Sequence, residues 1–164
     1  MNLKKGLFEK TMRRLAQAGG GRVGRASPEV ARWLESSRLL PSRLVSFLTT
    51  HSPKTELWAG AGCIFDEATI MRRNVEFPRV IQAGLFIIGS APNGDLIVVD
   101  LEKSPGAIGY LMHEQMYSVQ DIRSVFVPIC GSVGEFISRI NADERDLPND
   151  YFEAIAIREN VRAS

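Results

Sequence analysis

Residues that could bind a metal ion are few and widely separated in this sequence. The histidines and cysteines are His51, Cys63, His113 and Cys130. None of them pairs at the short spacing that usually marks zinc ligands. His113-Glu114 begins like a zinc-protease motif, but Tyr117 stands where the second histidine belongs. The sequence therefore predicts no metal site and no cofactor.

A cysteine paired with a histidine is the second possible route to catalysis. Cys63 or Cys130 could meet His51 or His113 in the fold, because catalytic pairs are close in space and not in sequence. However, the chain has neither a sharp nucleophile turn between a strand and a helix nor a phosphate-binding loop. Residues 19–24 match the glycine pattern of dinucleotide sites only formally, since a predicted helix precedes them instead of a strand. We therefore predict that the protein is not an enzyme, and we name no catalytic residue.

Carboxylates that could share acid–base chemistry occur as two pairs, Asp66 with Glu67 and Asp95 with Asp100. Asp95 directly follows Asn-Gly, and the chemistry of a tight turn is enough to explain it. Asp66 precedes a helical pattern, where a carboxylate accepts hydrogen bonds from free backbone N–H groups. Asp66 and Asp95 are therefore predicted to be structural.

An acidic cluster near the C-terminus is the one concentration of a single charge that fits a binding role. As a structural feature it would be a solvated loop. As a functional feature it would pair with a basic partner, because acidic surfaces steer association with basic proteins. We take these acids as the candidate partner-binding residues: Asp143, Glu144, Asp146 and Asp150.

The bulk properties are those of an ordinary folded domain. The chain has 164 residues, of which 45% are hydrophobic and 24% charged. A net charge of +1 argues against a general nucleic-acid binder. No apolar run approaches a membrane span, and no signal peptide is evident. Cys63 and Cys130 lie in apolar surroundings and are predicted to be buried free thiols of a cytoplasmic protein.

The N-terminal segment differs in charge from the rest of the chain. Residues 1–25 carry +6, so the remaining 139 residues carry −5. Residues 3–18 are predicted to form an amphipathic helix, and glycines 19–21 end it. Two interpretations stay open: a basic arm for an anionic surface or import, and a solvated helix face docked on the core.

A hairpin at the centre of the chain organises the predicted fold. Residues 85–88 and 96–101 are apolar runs joined by a turn containing Asn93-Gly94, a strong hairpin signal. Neither run alternates with polar residues, so both faces of the hairpin are predicted to be covered. The chain therefore has the pattern of an α+β domain.

The remaining elements are predicted from caps and hydrophobic spacing. Residues 51–61 are predicted to be a loop, and 77–80 to lead directly into the hairpin. The other predicted elements are helices at 29–37, 41–48, 67–73 and 133–140 and strands at 63–65, 107–113 and 125–129. Ser27, Asp66 and Ser132 are the predicted helix caps.

The order of these elements resembles the SUKH superfamily over residues 28–142. The resemblance is carried by an Ile-Gly strand end, Gly-Asp before the second strand, a histidine after the third strand and a Phe-Ile pair in the final helix. In this chain those places are occupied by Gly89, Gly94, Asp95, Asp100, His113, Phe136 and Ile137.

The SUKH resemblance implies a single α+β domain with a mixed or mostly antiparallel sheet of about four to six strands. It divides the chain into a basic helix and linker (1–26), the SUKH-like domain (27–157) and a frayed tail (158–164). It also implies a non-enzymatic bacterial immunity protein that neutralises a basic toxin, possibly a nuclease. The alternatives are a regulatory adaptor and, from another class, a small enzyme or ligand-binding domain that uses His113.

Overall fold

The architecture is α+β, as the sequence predicts, and it is built on one six-stranded antiparallel sheet. The structure is a computed structural model that describes residues 23–59, 62–132, 134–136, 139 and 147–163. The predicted basic helix at 3–18 therefore lies outside the described residues. The strands are β1 Val23–Gly24, β2 Ser52–Pro53, β3 Leu57–Ala59, β4 Gly62–Ile64, β5 Leu85–Ser90, β6 Leu96–Asp100, β7 Ile108–Leu111 and β8 Phe126–Cys130. The helices are α1 Pro28–Ser36, α2 Ser42–Thr50, α3 Glu67–Glu76, α4 Pro78–Gln82, a 3-10 turn Ile122–Val125 and α5 Tyr151–Ala163.

The strand order of the large sheet is β3-β4-β5-β6-β7-β8, and each strand pairs with its neighbour in antiparallel fashion. A second small sheet joins β1 to β2. The predicted hairpin forms the two central strands, β5 and β6. Every residue of β6 is buried, and so is every residue of β5 except Ser90, which confirms that both faces of the hairpin are covered.

The turn of the central hairpin has the conformation that Asn-Gly favours. Gly94 has a φ of +94°, which a residue with a side chain rarely adopts. The N–H of Gly94 donates to the carbonyl of Ala91 at 3.0 Å, and that of Ala91 donates to the carbonyl of Asp95 at 2.7 Å. Asp95 therefore leaves the turn at the point where β6 begins.

A bulge in β5 is held by a side chain from α3. The register between β5 and β6 shifts between Ile87 and Gly89. The amide of Asn74, which is 3% exposed, accepts from the N–H of Ile87 at 2.9 Å and donates to its carbonyl at 2.8 Å. The same amide also donates to the carbonyl of Ile70 at 2.8 Å. Asn74 thus satisfies backbone groups that sit beside the irregular register.

The predicted helix caps are present. The Ser27 hydroxyl accepts from the N–H of Val30 at the start of α1, and the Asp66 carboxylate accepts from that of Thr69 at the start of α3. The Ser132 hydroxyl accepts from the N–H of Glu135, and residues 134–136 are helical. The rest of the helix predicted at 133–140 lies largely outside the described residues.

Several elements differ from the sequence-based prediction. The predicted loop 51–61 contains β2 and β3, which were missed because each has three residues or fewer. Residues 77–80 were predicted to lead directly into the hairpin, but residues 78–82 form the short helix α4. Pro78 lies in its first turn, where the missing N–H of proline is tolerated. The largest difference is at the C-terminus, because α5 covers all but the last residue of the predicted tail 158–164. In the part of the chain that is described, no helix has the length and apolar character needed to cross a membrane.

Candidate functional site

The predicted partner-binding acids lie just before helix α5. Of these, Asp143, Glu144 and Asp146 lie outside the described residues. Asp150 is described and half-buried, and its Oδ1 accepts from the N–H of Glu153 at 2.9 Å. Asp150 therefore caps α5, which is a structural role that the sequence analysis did not assign to it.

The side chain of Glu153 also stabilises the start of α5, by reaching back to the residue that precedes Asp150. Its Oε2 accepts from the backbone N–H of Asn149 at 2.7 Å and from the Asn149 side chain at 3.0 Å. Two reciprocal side-chain contacts therefore define where α5 begins, in the manner of a capping box. Negative charge at this end also suits the dipole of the helix.

Helix α5 contacts β7 and β8 through one side and leaves the other side exposed. Tyr151 and Ala154 are buried, and Ile155 is half-buried against the core. On the outer side, Phe152 is 62% exposed and Ile157 is 42% exposed. These two apolar side chains lie on a helix that also exposes carboxylates.

A second cluster surrounds the buried carboxylate of Asp95, which is 1% exposed. Its Oδ1 accepts from the backbone N–H of His113 at 3.2 Å and lies 3.0 Å from His113 Nδ1. Its Oδ2 accepts from the Asn93 side chain at 2.8 Å and from the backbone N–H of Tyr151 at 3.1 Å. Turn chemistry therefore explains only part of the role of Asp95, and that prediction is corrected here.

These contacts determine the charge of Asp95. Burial raises the pKa of this carboxyl, but hydrogen bonds from Asn93, His113 and the backbone of Tyr151 outweigh burial and lower the pKa below its ordinary value. The carboxylate is consequently ionised at neutral pH.

The His113 ring lies over the turn glycine and reaches solvent. A Cβ on Gly94 would lie 3.3 Å from a ring carbon of His113, so the ring packs closely on the turn. The His113 side chain is 37% exposed, in contrast to its partner carboxylate. An imidazole oriented by a carboxylate at Nδ1 presents Nε2 as a potential proton acceptor.

The other carboxylate of the predicted pair, Asp100, is part of a buried ion pair. Arg123 donates from Nη2 to Oδ1 at 2.8 Å and from Nη1 to Oδ2 at 3.1 Å. Arg123 also donates from Nε to the carbonyl of Ala83 at 2.7 Å. Burial raises the pKa of Asp100, but hydrogen bonds and charge from Arg123, with backbone N–H donors of Glu102 and Ser104, lower it to about 2. This pair ties the 3-10 turn to the end of α4 and to β6.

The cysteines are buried free thiols, as predicted. Burial, with Glu56 and Asp66 nearby, raises the pKa of Cys63 to about 12, so this thiol is a poor nucleophile. Arg139 Nη1 lies 3.8 Å from the Sγ of Cys130. Among the described residues, no three His, Cys, Asp or Glu side chains are grouped so that they could hold a metal ion.

Two further aromatic side chains are exposed away from α5. Trp58 is 61% exposed on β3, at one edge of the large sheet. Tyr117 is 68% exposed and packs edge-on against Phe77, with ring centroids 6.0 Å apart. The guanidinium of Arg73 lies 5.8 Å from the centre of the Phe77 ring. Arg73 is in turn ion-paired with Glu76, whose Oε2 lies 3.0 Å from Nη1, so this aromatic pair has charges of both signs beside it.

No family model, curated protein or solved structure matches this chain. The resemblance to the SUKH superfamily stays a prediction. What the sequence analysis missed is the meeting of Asp95, His113 and Tyr151. Asp95 immediately precedes β6 and His113 lies two residues after the end of β7, and the antiparallel pairing of Leu96 with Leu111 brings these two strand ends together.

Proposed function

We propose that the chain is a non-enzymatic protein-binding domain of the immunity type, which binds and neutralises a basic toxin domain. The proposal has two parts. The order of elements in the sequence supports the kind of domain, and the chemistry of the surface supports the kind of partner. A cytoplasmic location belongs to the same proposal, because a toxin made by the same cell has to be met there.

The observation that carries this proposal is the position of the acids around the start of α5. Asp150, the last residue of the acidic cluster of the sequence, is half-buried, and Glu153 three positions later is exposed. Carboxylates concentrated in this way speed encounter with a basic protein and disfavour acidic ones. A stoichiometric inhibitor needs such a surface and a stable scaffold, and it needs no catalytic group.

The test is a tagged pull-down of the full chain from its source cells, at low and at high salt, with proteins identified by mass spectrometry. We expect one basic protein in stoichiometric amount, with recovery that falls as salt rises. Co-expression of this chain should then restore growth to cells that make the captured protein. Recovery of several unrelated regulatory proteins would favour the adaptor alternative instead. If cells that make the captured protein grew normally without this chain, the proposal would be contradicted.

A second candidate function is a small enzyme or ligand-binding domain centred on His113. The observation that favours it is the close contact of Asp95 Oδ1 with His113 Nδ1, 3.0 Å apart, while the His113 side chain is 37% exposed to solvent. The variant His113→Ala separates the two functions. A binding domain should keep its partner affinity in this variant, whereas an enzyme should lose turnover while remaining folded.

A further inference from the structure

We infer that the outward side of α5 is the contact surface for the toxin, with Phe152 as its apolar anchor; this inference rests on the proposed function. We call this surface the α5 face. It consists of six residues: Phe152, Glu153, Ala156, Ile157, Glu159 and Asn160.

The geometry of the helix places these residues together. Tyr151 and Ala154 are the buried residues of α5, and Ile155 is half-buried against the core. With 3.6 residues per turn, the six residues of the α5 face then occupy the opposite half of the helix. All six are exposed. The helix is thirteen residues long and is anchored at its start, so the face is presented on a rigid element.

Apolar exposure on this face is large for a surface helix. Phe152 leaves 62% of its surface in water, although its ring has an edge-on contact with Tyr151 at 5.8 Å. Ile157 adds a second apolar side chain at 42% exposure, and the small Ala156 lies between them on the helix. Exposed aromatic side chains of this kind act as anchors that enter a pocket on a partner. The partner should therefore offer an apolar pocket.

The charges of the α5 face select a basic partner. Glu153 and Glu159 lie on the outward half. Arg158 is exposed as well, but the helical period places it on the side of α5 that carries Tyr151 and Ala154. Asp150 adds a third carboxylate at the start of the helix. A second copy of this chain would bring the same carboxylates face to face across a two-fold axis, which like-charge repulsion disfavours. A basic surface with an apolar pocket is complementary on both counts.

The exposed aromatic residues elsewhere provide a built-in comparison. Tyr117 is as exposed as Phe152, but its neighbour Phe77 carries the guanidinium of Arg73. Trp58 lies on the edge strand β3. If aromatic exposure alone decided the contact, these two positions would be equivalent to Phe152. We expect them to differ from Phe152, because the α5 face adds a second exposed apolar side chain, Ile157, and the carboxylates of Glu153 and Glu159 on the same helix.

The experiment introduces the photoreactive residue p-benzoylphenylalanine into the full chain in its source cells. It replaces Phe152 or Ala156 in two variants and Tyr117 or Trp58 in two matched controls. We expect one and the same basic protein to be crosslinked from the first two positions and not from the controls. Crosslinking of a basic protein from the control positions alone would show that the α5 face is not the contact surface, while the proposed function would still hold. No crosslink from any position would count against both, and a crosslink to a second copy would overturn the inferred partner.

A binding measurement with the captured protein, purified, completes the test. Phe152→Ala should weaken its affinity by about 30-fold, the effect of a residue at an interface hot spot. Glu159→Lys should also weaken binding and reduce its salt dependence. The controls Tyr117→Ala and Glu114→Lys should change affinity less than about 2-fold, since exposed residues outside an interface contribute little. Because Phe152→Ala removes an exposed side chain, we expect its melting temperature to equal that of the wild type, which verifies that the variant is folded. If the folded variant bound the captured protein with unchanged affinity, the inference would be wrong.

Discussion

The backbone N–H of Tyr151 donates a hydrogen bond of 3.1 Å to Oδ2 of Asp95, 56 positions earlier in the chain. This bond joins the first residue of α5 to the turn of the central hairpin. A second long-range bond, from the hydroxyl of Tyr110 to the carbonyl of Pro148 at 2.7 Å, holds the segment that precedes the helix. These two bonds act together with the burial of Tyr151 and Ala154 to position α5 on the sheet.

Replacing Asp95 by alanine should destabilise the protein by about 3 kcal/mol. The change leaves the N–H groups of His113 and Tyr151 without their acceptor, and an unsatisfied buried donor costs about 1–3 kcal/mol. Urea unfolding followed by circular dichroism measures the difference. Amide hydrogen exchange at Tyr151 should also accelerate, because its N–H would then be protected only by packing.

Asp95→Asn is the matched control for this prediction. It keeps the shape of the side chain and one acceptor oxygen, but its NH2 group then faces donors that the second carboxylate oxygen accepts from. It should therefore still destabilise the protein, by less than Asp95→Ala. If the alanine variant unfolded within about 0.5 kcal/mol of the wild type, as surface substitutions do, Asp95 would not be the junction described above.

Asn74→Ala should cost about 2–4 kcal/mol. The substitution leaves both the N–H and the carbonyl of Ile87 unsatisfied beside the bulge of β5, and each is buried. Denaturant unfolding is again the measurement. The neighbouring substitution Val75→Ala is the control, because Val75 is 62% exposed and should change stability by less than about 0.5 kcal/mol. Equal effects of the two substitutions would contradict the role of Asn74.

Acid should destabilise the protein through Asp100. The pKa of its carboxyl is about 2 in the folded chain, against an ordinary value of 3.8. Because the folded pKa is the lower one, this stabilisation is complete above about pH 4 and is lost as the pH falls toward 2. The difference corresponds to about 2 kcal/mol. Unfolding free energies measured between pH 6 and pH 2 should therefore decline mainly below pH 4.

Arg123→Ala tests the cause of this pH dependence. Removing the guanidinium should raise the pKa of Asp100 and leave a buried carboxylate unpaired, which costs about 3–5 kcal/mol at neutral pH. Arg123→Lys keeps the charge but not the bidentate contact, so its free energy of unfolding should lie between those of the alanine variant and the wild type. An acid profile identical in the wild type and Arg123→Ala would exclude the pair as its origin.

The central hairpin and the caps of the first helices could be predicted because their signals are local. Asn93-Gly94 specifies the turn, and Ser27 and Asp66 each accept a bond from a residue three positions away. Strand β3 and helix α4 escaped prediction because three to five residues are too few for a periodic pattern. Helix α5 was missed because its acidic cap, Asp150, reads equally well as part of a polar loop.

The candidate sites could be predicted only in part, since they depend on contacts between distant segments. Asp95 looks like a turn residue until His113 and Tyr151 are placed beside it. The exposure of Phe152 is likewise a property of packing, because only the burial of Tyr151 and Ala154 decides which side of α5 faces outward. Composition contains neither fact.

Cys63 should resist thiol reagents in the folded protein. Its side chain is fully buried on β4, and its pKa is raised to about 12, so both access and thiolate content are low. Treatment with Ellman's reagent at pH 8 should leave Cys63 unmodified in the native state and modify it in guanidinium chloride. In the variant Cys130→Ala, Cys63 is the one remaining thiol, so the colour change reports its modification alone. Cys63→Ala reports the modification of Cys130 in the same way. Rapid modification of native Cys130→Ala would mean that the sheet opens readily around β4, since local opening is needed to expose this buried thiol.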